Sequence, residues 1–183
     1  MPTNEYHFVT NWRVKGTIKE VGDILEDAGS LPRWWPSVYL EVKVVEPGDA
    51  KGIGKLVTLY TKGWLPYTLR WKFRVTESKW PHGATLEATG DFVGKGVWTL
   101  TQEGDSANVR YDWRINAEKP LLRTFSFALK PLFGKHHQWA MARGLESLEL
   151  ELQRRRLPPE QRSQVPQPPG AVFPHNRRGK KSL

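Results

Sequence analysis

The chain has 183 residues, 38% of them hydrophobic, no cysteine, and a formal net charge of +9. The length fits one domain with an appendage, and the lack of cysteine excludes disulfides, thiol catalysis and cysteine-ligated metal. The charge is unevenly placed: Arg154 to Leu183 holds eight Lys/Arg against one acid, Glu160, and carries +7, while Met1 to Gln153 carries +2, so the basic balance says little about the body of the protein. Met1 to Val14 contains Glu5, His7, Asn11 and Arg13 and so has no apolar signal core. No run approaches the roughly 18 apolar residues of a membrane span. The expectation is a soluble cytoplasmic protein.

In chain order, the first pattern is alternation. Within Glu5 to Val14, Tyr6, Phe8, Thr10, Trp12 and Val14 share one face and His7, Asn11 and Arg13 the other, as in a strand buried on one side. Thr17-x-x-Glu20 is a capping box opening a helix with Ile18, Val21, Leu25 and Ala28 inward and Gly29 at its end. Ser30 to Trp35 forms one more short turn before Pro36. Six further strands follow: Val38 to Glu46, Gly54 to Thr61, Tyr67 to Thr76, Ala84 to Phe92, Val97 to Gln102 and Ala107 to Ala117. Their connections, among them Pro47-Gly48-Asp49, Gly94-Lys95-Gly96 and Gly104-Asp105, are short and rich in turn residues, which favours antiparallel hairpins. Tyr67, Leu69, Trp71, Phe73 and Val75 alternate with Thr68, Arg70, Lys72, Arg74 and Thr76, so one sheet face is covered and the other wet.

Leu121 to Leu129 reads as a helix with Leu121, Leu122, Phe125 and Leu129 on one side, separated by Pro131 from a longer helix over Phe133 to Leu152. In the longer one Phe133, His137, Met141, Gly144, Leu145, Leu148 and Leu152 recur at steps of three or four and form one stripe. Lys135, Gln138, Arg143, Glu146 and Glu149 lie opposite, and Arg154 to Arg156 suit the carbonyl end of the dipole. Beyond Arg156 the period stops and six prolines follow. Residues 157–183 are therefore expected to be a disordered, basic, proline-rich tail after a domain over residues 1–156.

Four pieces stand out in this order of elements: Thr17-Ile18-Lys19-Glu20-Val21 opening the first helix, Leu31-Pro32-Arg33-Trp34-Trp35-Pro36 after it, Gly94-Lys95-Gly96-Val97-Trp98-Thr99-Leu100, and Gly144-Leu145-Glu146-Ser147-Leu148 in the last helix. With strand, helix, six strands and a long terminal helix, the chain from about Tyr6 to Gln153 resembles the START-like superfamily known as SRPBCC, in particular its polyketide cyclase/dehydrase and lipid-transport branch. The resemblance implies an α+β helix-grip fold: a curved seven-stranded antiparallel sheet packed around a long C-terminal helix, enclosing a cavity for an apolar ligand. These pieces are structural and specify no activity. The basic tail is not part of the family pattern.

The residues expected to face inward are largely aromatic. Tyr60, Tyr67, Trp71, Trp98, Tyr111, Trp113, Phe133, His137 and Met141 are the candidates for ligand contact, in a pocket that is mostly apolar with a few polar groups; the alternative is that they fill the core. His137 lies on the apolar stripe. In an enzyme, His137 and Tyr111 (or Tyr60 or Tyr67) would polarise a carbonyl or move a proton; otherwise His137 is a hydrogen-bonded core residue. His136, about 100° round the helix, is expected to be exposed. Adjacent histidines make a poor metal pair, no H-E-x-x-H spacing occurs, and no phosphate- or dinucleotide-binding motif is present, so neither metal nor cofactor is expected. The strand-borne acids Glu41, Glu87, Asp91 and Asp112 are expected to face water, and Glu26 and Asp27 to form a surface ion pair with Arg33.

Three functions follow. The first is binding of a small hydrophobic or amphipathic ligand, lipid or polyketide-like, in an internal cavity. The second is a polyketide cyclase/aromatase or dehydratase-like enzyme of the same fold. The third is a membrane-associated lipid-transfer module in which the basic tail, helped by Leu121 to Leu129, touches anionic lipid. The tail is also the one element suited to weak contact with nucleic acid.

Overall fold

A computed structural model describes residues 5–118 and 120–172; of residue 117 and residues 120–130 it describes the backbone alone. Seven strands form one antiparallel sheet: β1 (Glu5–Lys15), β2 (Tyr39–Glu46), β3 (Leu56–Lys62), β4 (Thr68–Ser78), β5 (Gly83–Gly90), β6 (Phe92–Glu103) and β7 (Ser106–Ala117), in the order β1-β7-β6-β5-β4-β3-β2. The two edges of the sheet are thus the first two strands of the chain, and apart from the β1–β7 pair every spatial neighbour is a sequence neighbour. Helices α1 (Ile18–Glu26) and α2 (Leu31–Trp34) lie between β1 and β2, and α3 (Pro120–Arg156) follows the sheet.

Local chemistry accounts for these elements. Thr17 Oγ1 accepts from Glu20 N (3.2 Å) and Glu20 Oε2 accepts from Thr17 N (2.8 Å), so the capping box forms and starts α1. Val21 and Ile24 of α1 are fully buried. In the β1–β7 pair Phe8 faces Trp113 and Trp12 faces Val109, which continues the inner aromatic face across two strands. The stripe on α3 closes over that face: Phe133, Met141, Leu148 and Leu152 are buried. The sheet, the helix and their contact are the helix-grip arrangement expected above.

Two boundaries differ from expectation. Leu121 to Leu129 and Phe133 to Leu152 are not two helices; α3 runs unbroken for 37 residues with Pro131 inside it, about 55 Å in length. A proline inside a helix forfeits one hydrogen bond and crowds the preceding turn, at about 3 kcal/mol, but its own φ is helical, so it disfavours continuation without forbidding it. The apolar side proposed for Leu121, Leu122, Phe125 and Leu129 lies outside the described side chains. The other boundary is the β5–β6 hairpin, which turns at Gly90 and Asp91, not at Gly94-Lys95-Gly96. Gly94 and Gly96 are strand residues opposite Ile115 and Trp113. A Cβ on Gly94 would come within 2.1 Å of the Arg114 carbonyl oxygen, and one on Gly96 within 2.7 Å of Tyr111 Oη and 2.9 Å of Trp113 Cε3. These glycines serve close approach, not a turn.

The far end of α3 is held by charge. Glu151, 1% exposed, accepts from Arg33 Nη1 and Nη2, each at 2.7 Å, and from Arg155 Nε at 2.8 Å. Burial pushes its carboxyl up, but the Arg33 and Arg155 bonds outweigh burial and hold it below the ordinary range. Arg33 is therefore not the partner of Glu26 or Asp27: Glu26 meets Lys55 (3.5 Å) and Asp27 meets Arg155 (3.1 Å). Past α3, Pro159–Gln164 forms a 3₁₀ turn, Val165 is buried, and Arg154 donates to the Pro166 carbonyl (2.9 Å). Among the described residues no helix is long and apolar enough to cross a membrane.

Candidate functional site: a two-lobed cavity between sheet and helix

The inner sheet face and α3 do not close completely on each other. Among the described residues two cavities lie between them, one of about 130 Å³ and one of about 150 Å³. Five residues line both: Trp35, Tyr39, Trp71, Tyr111 and Met141. The cavities therefore adjoin, as two lobes on either side of an aromatic waist. The first lobe is lined by Tyr6, Phe8, Tyr67, Trp113, Phe133 and the histidine pair, among others. The second runs toward α1 and the β2–β3 and β4–β5 loops, past Leu25, Phe73, Leu86, Trp98 and Leu100 to Lys51, Lys55 and Trp80.

Most of the sequence candidates meet here. Tyr67, Trp71, Tyr111, Trp113, Phe133, His137 and Met141 line the first lobe, and Trp98 lines the second. Tyr60 does not join them. It stands between Leu59 and Thr61, both buried, so strand alternation turns it to the outer face, where its ring carries the Arg70 guanidinium at 4.2 Å. The acids Glu41 and Glu87 are exposed, Asp112 is held on the outer face by His7 (3.0 Å) and Arg114 (3.1 Å), and Asp91 sits in the β5–β6 turn accepting from Arg70 N (2.8 Å).

His137 stacks on Phe8 at 4.3 Å with 14° between the planes, and its Nε2 lies 3.3 Å from Thr10 Oγ1. His136 is not exposed. It lines the first lobe under the Gly63-Trp64-Leu65-Pro66 loop, with Trp64, Tyr67 and Trp139 around it at ring distances of 5.9, 6.1 and 6.4 Å. Gly63 is what admits it: a Cβ there would come within 1.9 Å of His136 Nε2. The single-stripe view fails because this stretch of α3 is covered on two sides, by the sheet and by the β3–β4 loop. Burial lowers both imidazoles to about 4, so both are neutral at pH 7.

Three tyrosines of the cavity are pushed the other way. Burial raises the phenols of Tyr39, Tyr67 and Tyr111 well above their ordinary value. They are hydrogen-bond donors and acceptors, not phenolates. Trp71 donates its indole N–H to Thr61 Oγ1 (3.1 Å). Lys62, 6% exposed, also lines the first lobe. Among the described residues no group of three or more acids and histidines is placed to hold a metal ion.

Trp35 and Tyr39 are site residues that the sequence pattern did not show. Trp35 is 3% exposed and lies against Gly144 of α3. Tyr39 precedes a bulge: the β2–β3 register shifts between Tyr39 and Glu41. Without that shift Tyr39 would share a face with exposed Glu41 and Lys43; the bulge turns it inward.

No family model and no curated protein matches the chain. Solved structures do. The protein TTHA0849 of Thermus thermophilus superposes with a TM-score of 0.62 at 14% identity, over 81% of this chain and 97% of that one. The ZhuI aromatase/cyclase of a Streptomyces species, strain R1128, gives 0.61 at 15% identity, over 84% and 96%. A norcoclaurine synthase point mutant from Thalictrum flavum, in complex with a transition-state analogue, gives 0.59 at 15% identity, over 86% and 99%. At these identities the likeness is one of fold: the chain has the helix-grip fold these structures share.

Proposed function

We propose that this protein binds a small hydrophobic or amphipathic molecule in the two-lobed cavity. The observation that carries the reading is the cavity itself, lined by aromatic and aliphatic side chains with a few polar groups, as small-molecule sites are. The same fold holds an aromatase/cyclase and a norcoclaurine synthase, which supports a small-molecule role and leaves carrier and enzyme both in view.

The state of the histidines favours the carrier. His137 Nε2 already meets Thr10, and an imidazole lowered to about 4 is neutral at pH 7, so no imidazolium is there to act as general acid, and the neutral ring is a weak base. Tyr111, raised by burial, is a poor acid. A lipid or polyketide-like guest is the class this lining fits.

Native mass spectrometry of the purified protein, followed by solvent extraction of whatever co-purifies, tests the reading directly. Met141→Trp should fill the waist and abolish binding of an apolar, environment-sensitive dye with only a modest loss of stability. His137→Ala should change dye affinity by no more than about tenfold in a carrier, whereas general acid–base catalysis would show as a loss of roughly 10²–10⁴ in turnover with binding retained. A cavity that takes no dye and yields no extractable molecule would leave these aromatics as core.

A further inference from the structure

The polar groups around the cavity differ in whether the protein itself engages them. Trp71 is bonded to Thr61, and His137 to Thr10. Tyr39 and Tyr111 are not engaged: neither hydroxyl has a hydrogen-bond partner among the described residues. Both belong to the waist, lining the two lobes at once. Their rings are fixed by neighbours. Tyr39 stands edge-on to Trp35 at 5.2 Å, and Tyr111 is stacked between Trp98 (3.9 Å, 16°) and Trp113 (5.6 Å, 21°). The Tyr111 hydroxyl lies over Gly96, whose missing side chain leaves it room. The two phenols are close enough that charge on Tyr39 would raise Tyr111 further, on top of burial, so each keeps its proton at neutral pH. Both side chains line the cavity, so a guest there can supply the acceptor that the protein does not, as polar groups withdrawn from water require.

The geometry points to a binding site at this waist for the oxygen of an uncharged carbonyl compound, a ketone or close relative, which accepts from the Tyr39 and Tyr111 hydroxyls while an apolar arm fills each lobe. The placement of charge argues for a neutral guest. No residue that lines both lobes is charged; Lys62 lines only the first, and Glu26, Lys51 and Lys55 only the second. A carboxylate at the waist would lose its water without meeting a cation there, whereas a carbonyl oxygen needs only donors. The arms follow from the shape: a guest whose oxygen is at the waist has apolar space on both sides. This inference rests on the cavity reading and adds to it the chemical group that the cavity recognises.

An acyl(dimethylamino)naphthalene dye is the probe, because its ketone emission moves to the red when the carbonyl accepts hydrogen bonds. Its partner is the same naphthalene with an alkyl group in place of the acyl group. Affinities are read from quenching of tryptophan fluorescence. The unaltered protein should bind the ketone about three- to tenfold more tightly than the alkyl analogue. Tyr39→Phe and Tyr111→Phe should each weaken ketone binding about two- to tenfold, shift its emission to the blue, and leave the alkyl analogue unchanged. Equal affinity for the two dyes, with no effect of either substitution on affinity or emission, overturns the carbonyl site while the cavity stands. Binding of neither dye overturns the cavity reading and the carbonyl site with it. Loss of one hydroxyl keeps the ring and its stacking, and thermal melts verify folding. Where a variant does not fold, the comparison of ketone with alkyl dye on the unaltered protein still decides.

Discussion

His136 and His137 are neighbours in the chain, yet both end in the interior, and that gives them a shared signature in acid. Each is lowered to about 4 by burial, with His136 lowering His137 a little further, while an unfolded histidine takes up its proton near pH 6.5. Between those values the unfolded chain binds more protons than the folded one, so stability rises with pH through that window and is lost on acidification. The slope is at most about 1.4 kcal/mol per pH unit for each histidine, and above about pH 6.5 the contribution is flat. Urea midpoints measured between about pH 7 and about pH 4 should fall, and a variant with both residues changed to Gln should lose most of that slope; equal slopes would contradict their burial. Glu20 acts in a lower window. Its bond to Arg156 and its capping bond to Thr17 hold it at about 2, so its share is lost as pH falls from about 4.5. The residue scale is also where the sequence was least readable. Tyr60 could have been placed outward by alternation between Leu59 and Thr61. Tyr39 could not be placed inward, because a bulge has no fixed sequence mark, and His136 needed knowledge of a loop about 70 residues away in the chain.

At the scale of elements, α3 is held against α2 by an absence. Gly144 is buried within α3, and a Cβ there would come within 2.3 Å of Trp35 Cζ2 and 2.6 Å of Trp35 Cη2. Gly144→Ala therefore pits two effects against each other. Alanine favours the helix by about 1 kcal/mol, but an extra methyl in a closed site costs about 1–3 kcal/mol when the neighbour cannot yield. Trp35 is wedged among Trp12, Trp34 and Tyr39 at 5.9, 5.5 and 5.2 Å, so it has little room to give. The expected result is a net loss of about 1–2 kcal/mol in chemical denaturation together with altered dye affinity, since Trp35 lines both lobes. A stabilised variant would mean that helix and indole are not in this contact. The stripe from Phe133 to Leu152 was legible because helical spacing depends on nothing outside the helix. Glycine was less legible, because Gly144, Gly94 and Gly96 mark close approach of backbone and side chain, which reads in sequence like a turn or a stop.

For the whole molecule, the order of elements and the antiparallel sheet follow from alternation and short turns, but the cavity does not, because a void is the difference between two nearly matched surfaces. The proline-rich segment poses the same kind of question, since its composition says solvent while part of it is placed on the body. Val165 is 6% exposed and the Pro166 carbonyl accepts from Arg154 at 2.9 Å, and both come after the point where periodicity stops. The basic cluster Arg177, Arg178, Lys180 and Lys181 lies beyond the described residues. Two truncations separate the two parts. Ending the chain at Val172 removes the cluster and none of these contacts, so the melting temperature should be unchanged, while any weak binding to anionic vesicles should fall and what remains should fade with salt. Ending it at Leu157 removes the Val165 burial and the Arg154 bond as well. That should cost about 1–3 kcal/mol, on the scale of one buried valine and one charged hydrogen bond, or a melting shift of about 2–10 °C for a chain of this size. Equal melting of the two truncated forms would show that residues 158–172 contribute nothing to folding. Vesicle binding that survives the cut at Val172 would place the interacting charge on Met1 to Val172, which still carries +5 once the four bases of the cluster are gone.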